Sequence, residues 1–181
     1  MIRYIALLRG INVGGHKKVK MADLRAAFES AGFTNVSTYI QSGNILFDTQ
    51  LDNTVLIQQQ IENLIEQRFG FPVPVTLRTQ QQWQAVMDSF PFGNSRDIDD
   101  GTQFLVVFLS AEPVVQSCQV LEQQAKEPER LKVIGSSVYL HCPNGYGRTR
   151  LTNNLIEKVL QVSATTRNWK TLEKLKELAA G

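Results

Sequence analysis

The apolar positions of this chain change period in a regular order. Residues 2–8 (IRYIALL) form an almost unbroken apolar run, which reads as a strand buried on both faces. Met21, Leu24, Ala27, Phe28 and Ala31 then recur at helical spacing, and Gly32 suits the left-handed stop. Asp23 sits in the first turn, where a carboxylate complements the helix dipole. Lys20 is a poor N-cap, so the helix is expected to begin at Met21 or slightly before. Residues 36–40 and 44–48 read as two strands joined by a tight turn at Gln41, Ser42, Gly43 and Asn44. Asn53 or Thr54 caps a helix that places Ile57, Ile61, Leu64, Ile65 and Phe69 on one face and ends at Gly70. Residues 73–77 form a short strand, and Pro74 argues for a sheet edge. Strand, helix, strand, strand, helix, strand is the split βαβ, or ferredoxin-like, order.

A glutamine-rich helix over 80–89 carries Trp83, Val86 and Met87, and residues 90–101 read as a linker. The order then restarts. Residues 104–109 (FLVVFL) form a strand, and a helix opens at Glu112 or Pro113 and runs to about Ala125. A hairpin over 131–134 and 138–141 turns at Gly135. One helix carries Leu151, Leu155, Ile156, Val159 and Leu160, and the last carries Trp169, Leu172, Leu175 and Leu178. The expected fold is α+β, two ferredoxin-like halves docked together, with added C-terminal helices. The expected boundaries are 1–79 for the first half and 80–101 for the helix and linker. The second half spans 102–181, its repeat proper ending near 168.

Composition changes this picture little. The 181 residues are 43% hydrophobic and 20% charged, as in ordinary globular proteins. A chain of this length buries roughly 70% of its unfolded surface, so it needs no disulfide or metal to hold it together. Two cysteines, Cys118 and Cys142, are too few for a disulfide scaffold, and no apolar run is long enough to span a bilayer. The expectation is a cytoplasmic protein without membrane contact. Charge is uneven. Residues 1–25 carry +5, residues 130–181 carry +6, and the stretch between carries −9. Basic ends point to an anionic partner if folding brings them together; the alternative is that solvated faces differ in sign by chance.

In the order read above, the first two strands are parallel. The loop after the first strand therefore lies beside the turn between the second and third. That sets Arg9, Asn12, Gly14, Gly15, Lys17 and Lys18 next to Gln41, Ser42, Gly43 and Asn44. Backbone N–H groups in glycine turns make anion-sized concavities, and the lysines add charge. The competing reading is that the glycines serve only tight turns. A second candidate is the segment carrying Arg148, Thr149 and Arg150, expected to open a helix whose N-terminus attracts phosphate. There Tyr146 stacks on a base or merely covers a turn. A third is 165–169, where Thr166 or Asn168 caps the last helix and Trp169 has core spacing. Arg167 is explained by neither role.

Several motifs fail. Gly10 to Gly15 begins a P-loop pattern, but His16 stands where the lysine belongs and Lys17 where the hydroxyl belongs. No glycine fingerprint for a dinucleotide follows a strand, and no metal-ligand spacing joins His16, His141, Cys118 and Cys142. Residues 97–101 (DIDDG) mimic the start of a calcium loop, but the glycine is one place early and Phe108 occupies the twelfth position. Ser42 has no base beside it except the loop residue His16. Neither metal nor cofactor is expected.

Three segments carry a resemblance: residues 7–15 (LLRGINVGG), 38–44 (TYIQSGN), and 165–169 (TTRNW) with Thr171. Together they resemble the signatures of a bacterial family catalogued as domain of unknown function 1697, over nearly the whole chain. The resemblance implies two ferredoxin-like halves and no established activity. Its signature residues are Arg9, Asn12, Gly14, Gly15, Gln41, Ser42, Gly43, Asn44, Arg167, Asn168 and Trp169, and the segment 148–150 is similar to a basic stretch of that group. The leading expectation is binding of a phosphate-bearing ligand, a nucleotide or single-stranded nucleic acid. The alternatives are an enzyme acting on a small phosphorylated or carboxylated metabolite, with His16 as proton carrier, and a protein-interaction module.

Overall fold

The structure, a computed structural model, describes residues 1–93 and 101–181. Among them the chain forms two four-stranded antiparallel sheets and six α-helices. The chain divides into two units, one of Met1–Gln84 with Leu175–Gly181 and one of Ala85–Lys174.

In the first unit the elements follow as β1 (Ile2–Leu8), α1 (Met21–Ser30), β2 (Thr34–Tyr39), β3 (Asn44–Thr49), α2 (Thr54–Phe69) and β4 (Val75–Thr79), and the sheet order is β2-β3-β1-β4. Tyr4, Ala6 and Leu8 alternate onto the face that packs with Leu24 and Phe28 of α1 and Ile57, Ile61 and Ile65 of α2. Ile5 and Leu7, pointing the other way, are buried too, so β1 is apolar on both faces from Tyr4 to Leu8. Lys20 makes no side-chain cap and α1 starts at Met21, whereas the Asn53 side chain accepts from the Leu56 N–H. β4 is an edge strand, as Pro74 predicts, but it begins only at Val75. Pro74 has no N–H to pair; its carbonyl accepts from the Arg9 N–H, and the Val75 N–H donates to the Glu62 carboxylate.

The second unit repeats the plan. Its elements are β5 (Phe104–Leu109), α4 (Val115–Glu122), β6 (Arg130–Ile134), β7 (Ser137–His141), α5 (Asn153–Leu160) and β8 (Ala164–Asn168), with sheet order β6-β7-β5-β8. α3 (Gln80–Asp88) and α6 (Trp169–Ala180) follow the fourth strand of each sheet. Two corrections arise here. Residues 165–168, for which no strand is expected above, form most of β8, because pairing with β5 gives a threonine-rich segment its ladder partners, while Asn168, one of the two expected caps, does cap the last helix. Residues 143–150 do not open a helix. They contain one 3-10 turn (Tyr146–Arg148), and α5 begins at Asn153, capped by Thr152. Phe90 and Phe92, assigned above to the linker, pack instead with Phe104, and Phe90 also with Tyr139 and Trp169, on the sheet face opposite α4 and α5. The calcium-loop mimic at 97–100 lies outside the described residues.

The duplication extends to individual bonds. The Leu8 N–H donates to the Gly43 carbonyl and the Arg9 N–H to that of Pro74; in the second half the Leu109 N–H donates to Ser136 and the Ser110 N–H to Ser163. Arg78 and Arg167 hold the same place on the fourth strands, each donating to the carbonyl before it. The next residue, Thr79 or Asn168, caps the helix that follows.

Candidate functional site

The expected meeting of the glycine corners occurs. The Asn12 side chain, in a left-handed backbone at φ 54, donates to the carbonyls of Gln41 and Val19 at 2.8 and 3.0 Å and accepts from the Val19 N–H at 2.8 Å. It buckles the β1–α1 loop to the β2–β3 turn. Between Val13 and His16 the loop makes a small hairpin whose central residues, Gly14 and Gly15, both have positive φ, as a type I′ turn requires. Lys17 is held as well: its ammonium donates to the Pro72 carbonyl at 3.0 Å. Lys18 and His16 are exposed. In the turn, the buried Asn44 amide donates to the Tyr39 carbonyl and to the Ser42 hydroxyl. Much of this signature is therefore internal bracing.

Two residues here escaped the sequence reading. Val13 stands 64% exposed at the hairpin, and Ile40, expected in a strand, leaves it at φ 52 with 50% of its surface exposed. A β-branched residue in that region is strained. Periodicity gives no sign of this, since isoleucine after a strand pattern continues the pattern.

The basic segment of the second half lines a cavity. A volume of about 580 Å³ opens between the α4–β6 connection (Lys126, Glu127, Glu129) and the β7–α5 connection (Arg148, Arg150), with Leu151 and Leu155 at its base. Among the described residues, the charged ends of Lys126, Glu127, Arg148 and Arg150 make no hydrogen bond or ion pair. Thr149 turns its hydroxyl to the Leu151 N–H and is not part of the lining. Behind the cavity, buried Cys142 interacts with both Glu129 and Thr149 and so links its two walls. Tyr146 packs against the core, with its hydroxyl on Thr166 at 3.4 Å, which leaves it a cover for the turn rather than a stacking platform. No sequence signal marked Lys126, Glu127 and Glu129, which sit in a short polar connection like any other.

Burial, with the neighbouring Glu129 carboxylate, pushes the Cys142 thiol up to about 12. The folded state thus holds this proton more tightly than the unfolded chain. The resulting stability is complete below the ordinary thiol value near 9 and is lost as pH rises toward 12. Native protein at pH 8 is expected to react with a thiol reagent at no more than one site, the partly exposed Cys118, until denaturant exposes the second. Equal labelling of both under native conditions contradicts this.

Arg167 and Arg78 are both desolvated by burial, which lowers their guanidinium values, for Arg167 to about 10. Both remain cationic at neutral pH. Asn168 caps α6 by accepting from the Thr171 N–H, and Trp169 is buried. Among the described residues no group of His, Cys, Asp and Glu is placed to hold a metal ion, and no helix is long and apolar enough to cross a membrane.

Comparison with known proteins agrees with this geometry. The chain is similar to a solved structure, that of the conserved bacterial protein SP0830 from Streptococcus pneumoniae. The TM-score is 0.78 at 26% identity, covering 98% of each chain. No curated protein matches. A family model matches residues 1–139, which takes in the glycine corner but stops before Arg148, Arg150 and the signature at 167–169. On that match, over most of its length, the chain belongs to the family described as Protein of unknown function (DUF1697).

Proposed function

We propose that this protein binds a small phosphate-bearing ligand, seated in the cavity ringed by Arg148, Arg150 and Lys126. Each half is read as a ferredoxin-like unit, and comparing the halves separates what the fold requires from what was added. The first connection runs from Arg9 to Lys20 in the first half but only from Ser110 to Val114 in the second. The connection after the third strand runs from Gln50 to Asn53 in the first half but from Cys142 to Thr152 in the second. Both expanded loops carry cations and no carboxylate. Enlarged loops on a repeated scaffold are where binding residues accumulate.

The observation that carries the reading is the cavity itself. Two guanidinium groups and an ammonium that have no partner among the described residues border a space of about 580 Å³ with leucines at its base. That volume suits a small ligand, and guanidinium groups grip phosphate through paired N–H donors. The glycine corner ranks second, because Asn12 and Lys17 are committed to bracing it. Base stacking on the first sheet is not favoured, since Tyr4 is buried against Phe47.

Ligand at a hundred times its dissociation constant adds about 2.7 kcal/mol, a rise of roughly 5–10 °C in melting temperature for a chain this long. Such a rise is expected with at least one member of a panel of phosphate, sugar phosphates, nucleotides and short oligonucleotides. It is expected to vanish in Arg148→Gln and Arg150→Gln, whose exposed side chains leave the fold intact. Silence across the panel overturns the proposal. It would favour instead an interaction module, for which exposed Val13 and strained, exposed Ile40 at a braced corner are the specific support.

A further inference from the structure

We infer that the ligand of this cavity is a monophosphate joined to a hydroxyl-rich group, a sugar phosphate or nucleoside monophosphate, and that Glu127 receives the hydroxyls. The inference rests on the reading above and narrows it. The lining is not purely basic: Glu127 and Glu129 share it with Lys126, Arg148 and Arg150. Carboxylates accept hydrogen bonds and donate none, and they repel each added phosphate charge. A site for a polyphosphate gains nothing from two of them. A site for a phosphorylated polyol gains an acceptor for the hydroxyls, the role an acidic residue plays toward ribose in dinucleotide folds.

The two carboxylates are not equivalent. Glu129 is half-buried and engaged with the Cys142 thiol, so it is tied into the wall. Glu127 is exposed, and among the described residues its carboxylate has no partner. It is the acceptor available to a ligand. The space is also far larger than one phosphate ion fills, and its leucine base suits the apolar faces of a sugar or base ring.

The test is calorimetric titration of the full chain and of Glu127→Gln with inorganic phosphate, a hexose monophosphate, and a nucleoside mono- and triphosphate. In the native chain, the hexose or nucleoside monophosphate is expected to bind about tenfold or more tightly than phosphate, the scale of one or two hydrogen bonds to a charged acceptor. Glu127→Gln is expected to erase that margin while holding phosphate as well as before or better. If phosphate or the triphosphate binds as tightly as the monophosphates, or the margin survives in Glu127→Gln, the inference is overturned and anion binding stands. If none of the four binds, both fall.

Discussion

Replacing Gly43 by alanine is expected to destabilise the first half by about 2–5 kcal/mol, read as a lower denaturant midpoint at unchanged slope. Two costs add. Gly43 has φ 87, a conformation worth roughly 1–2 kcal/mol against any residue with a Cβ. A Cβ there would also sit 2.7 Å from the Leu8 Cβ and 2.8 Å from the Ile11 Cδ1. Leu8 and Ile11 are buried in the core, so neither can swing away, and overpacking of this kind costs about 1–3 kcal/mol. The control is Gly15→Ala, also at positive φ but with open space around it, which is expected to lose only the conformational share. Equal losses in the two variants would show that the close approach to Leu8 is not what Gly43 provides.

Asn12→Ala is expected to cost about 3 kcal/mol and to free the Val13–His16 hairpin. Three hydrogen bonds disappear, each worth about 1 kcal/mol. One of them leaves the N–H of buried Val19 without its acceptor. Alanine also tolerates a positive φ less well than asparagine does. Amide exchange at His16 and Val19 should accelerate well beyond the global change, because the buckle between loop and turn is gone. If exchange speeds up evenly across β1 and β3, Asn12 stabilises the sheet rather than the loop. Asn12→Asp separates the roles further: its carboxylate can still accept from Val19 but cannot donate to Gln41.

These results bear on how the family signature is understood. Asn12, Gly43 and Asn44 have full structural occupations where the two corners meet. A segment such as 38–44 therefore marks a constructed corner, whether or not a ligand visits it. The cavity at Arg148 and Arg150 has the opposite character. Among the described residues, the charged ends of Lys126, Glu127, Arg148 and Arg150 hold nothing in the protein, and the two arginines lie beyond the span of the family match.

What the sequence alone determined is local. The apolar run of β1, the helical spacing of α1 and α2, the Asn53 cap and the edge position foretold by Pro74 all follow from interactions within a few residues, and all were legible. The order of elements also brought the glycine corners together, because β1 and β2 run parallel through the shared partner β3. Only the tertiary structure decided the rest. β8 is a strand because β5 lies beside it, Ile40 is left-handed in the turn whose Gln41 carbonyl Asn12 holds, and the cavity exists because two polar connections from different parts of the second half face each other. Each of these depends on contacts between residues far apart in the chain, for which a one-dimensional pattern holds no record.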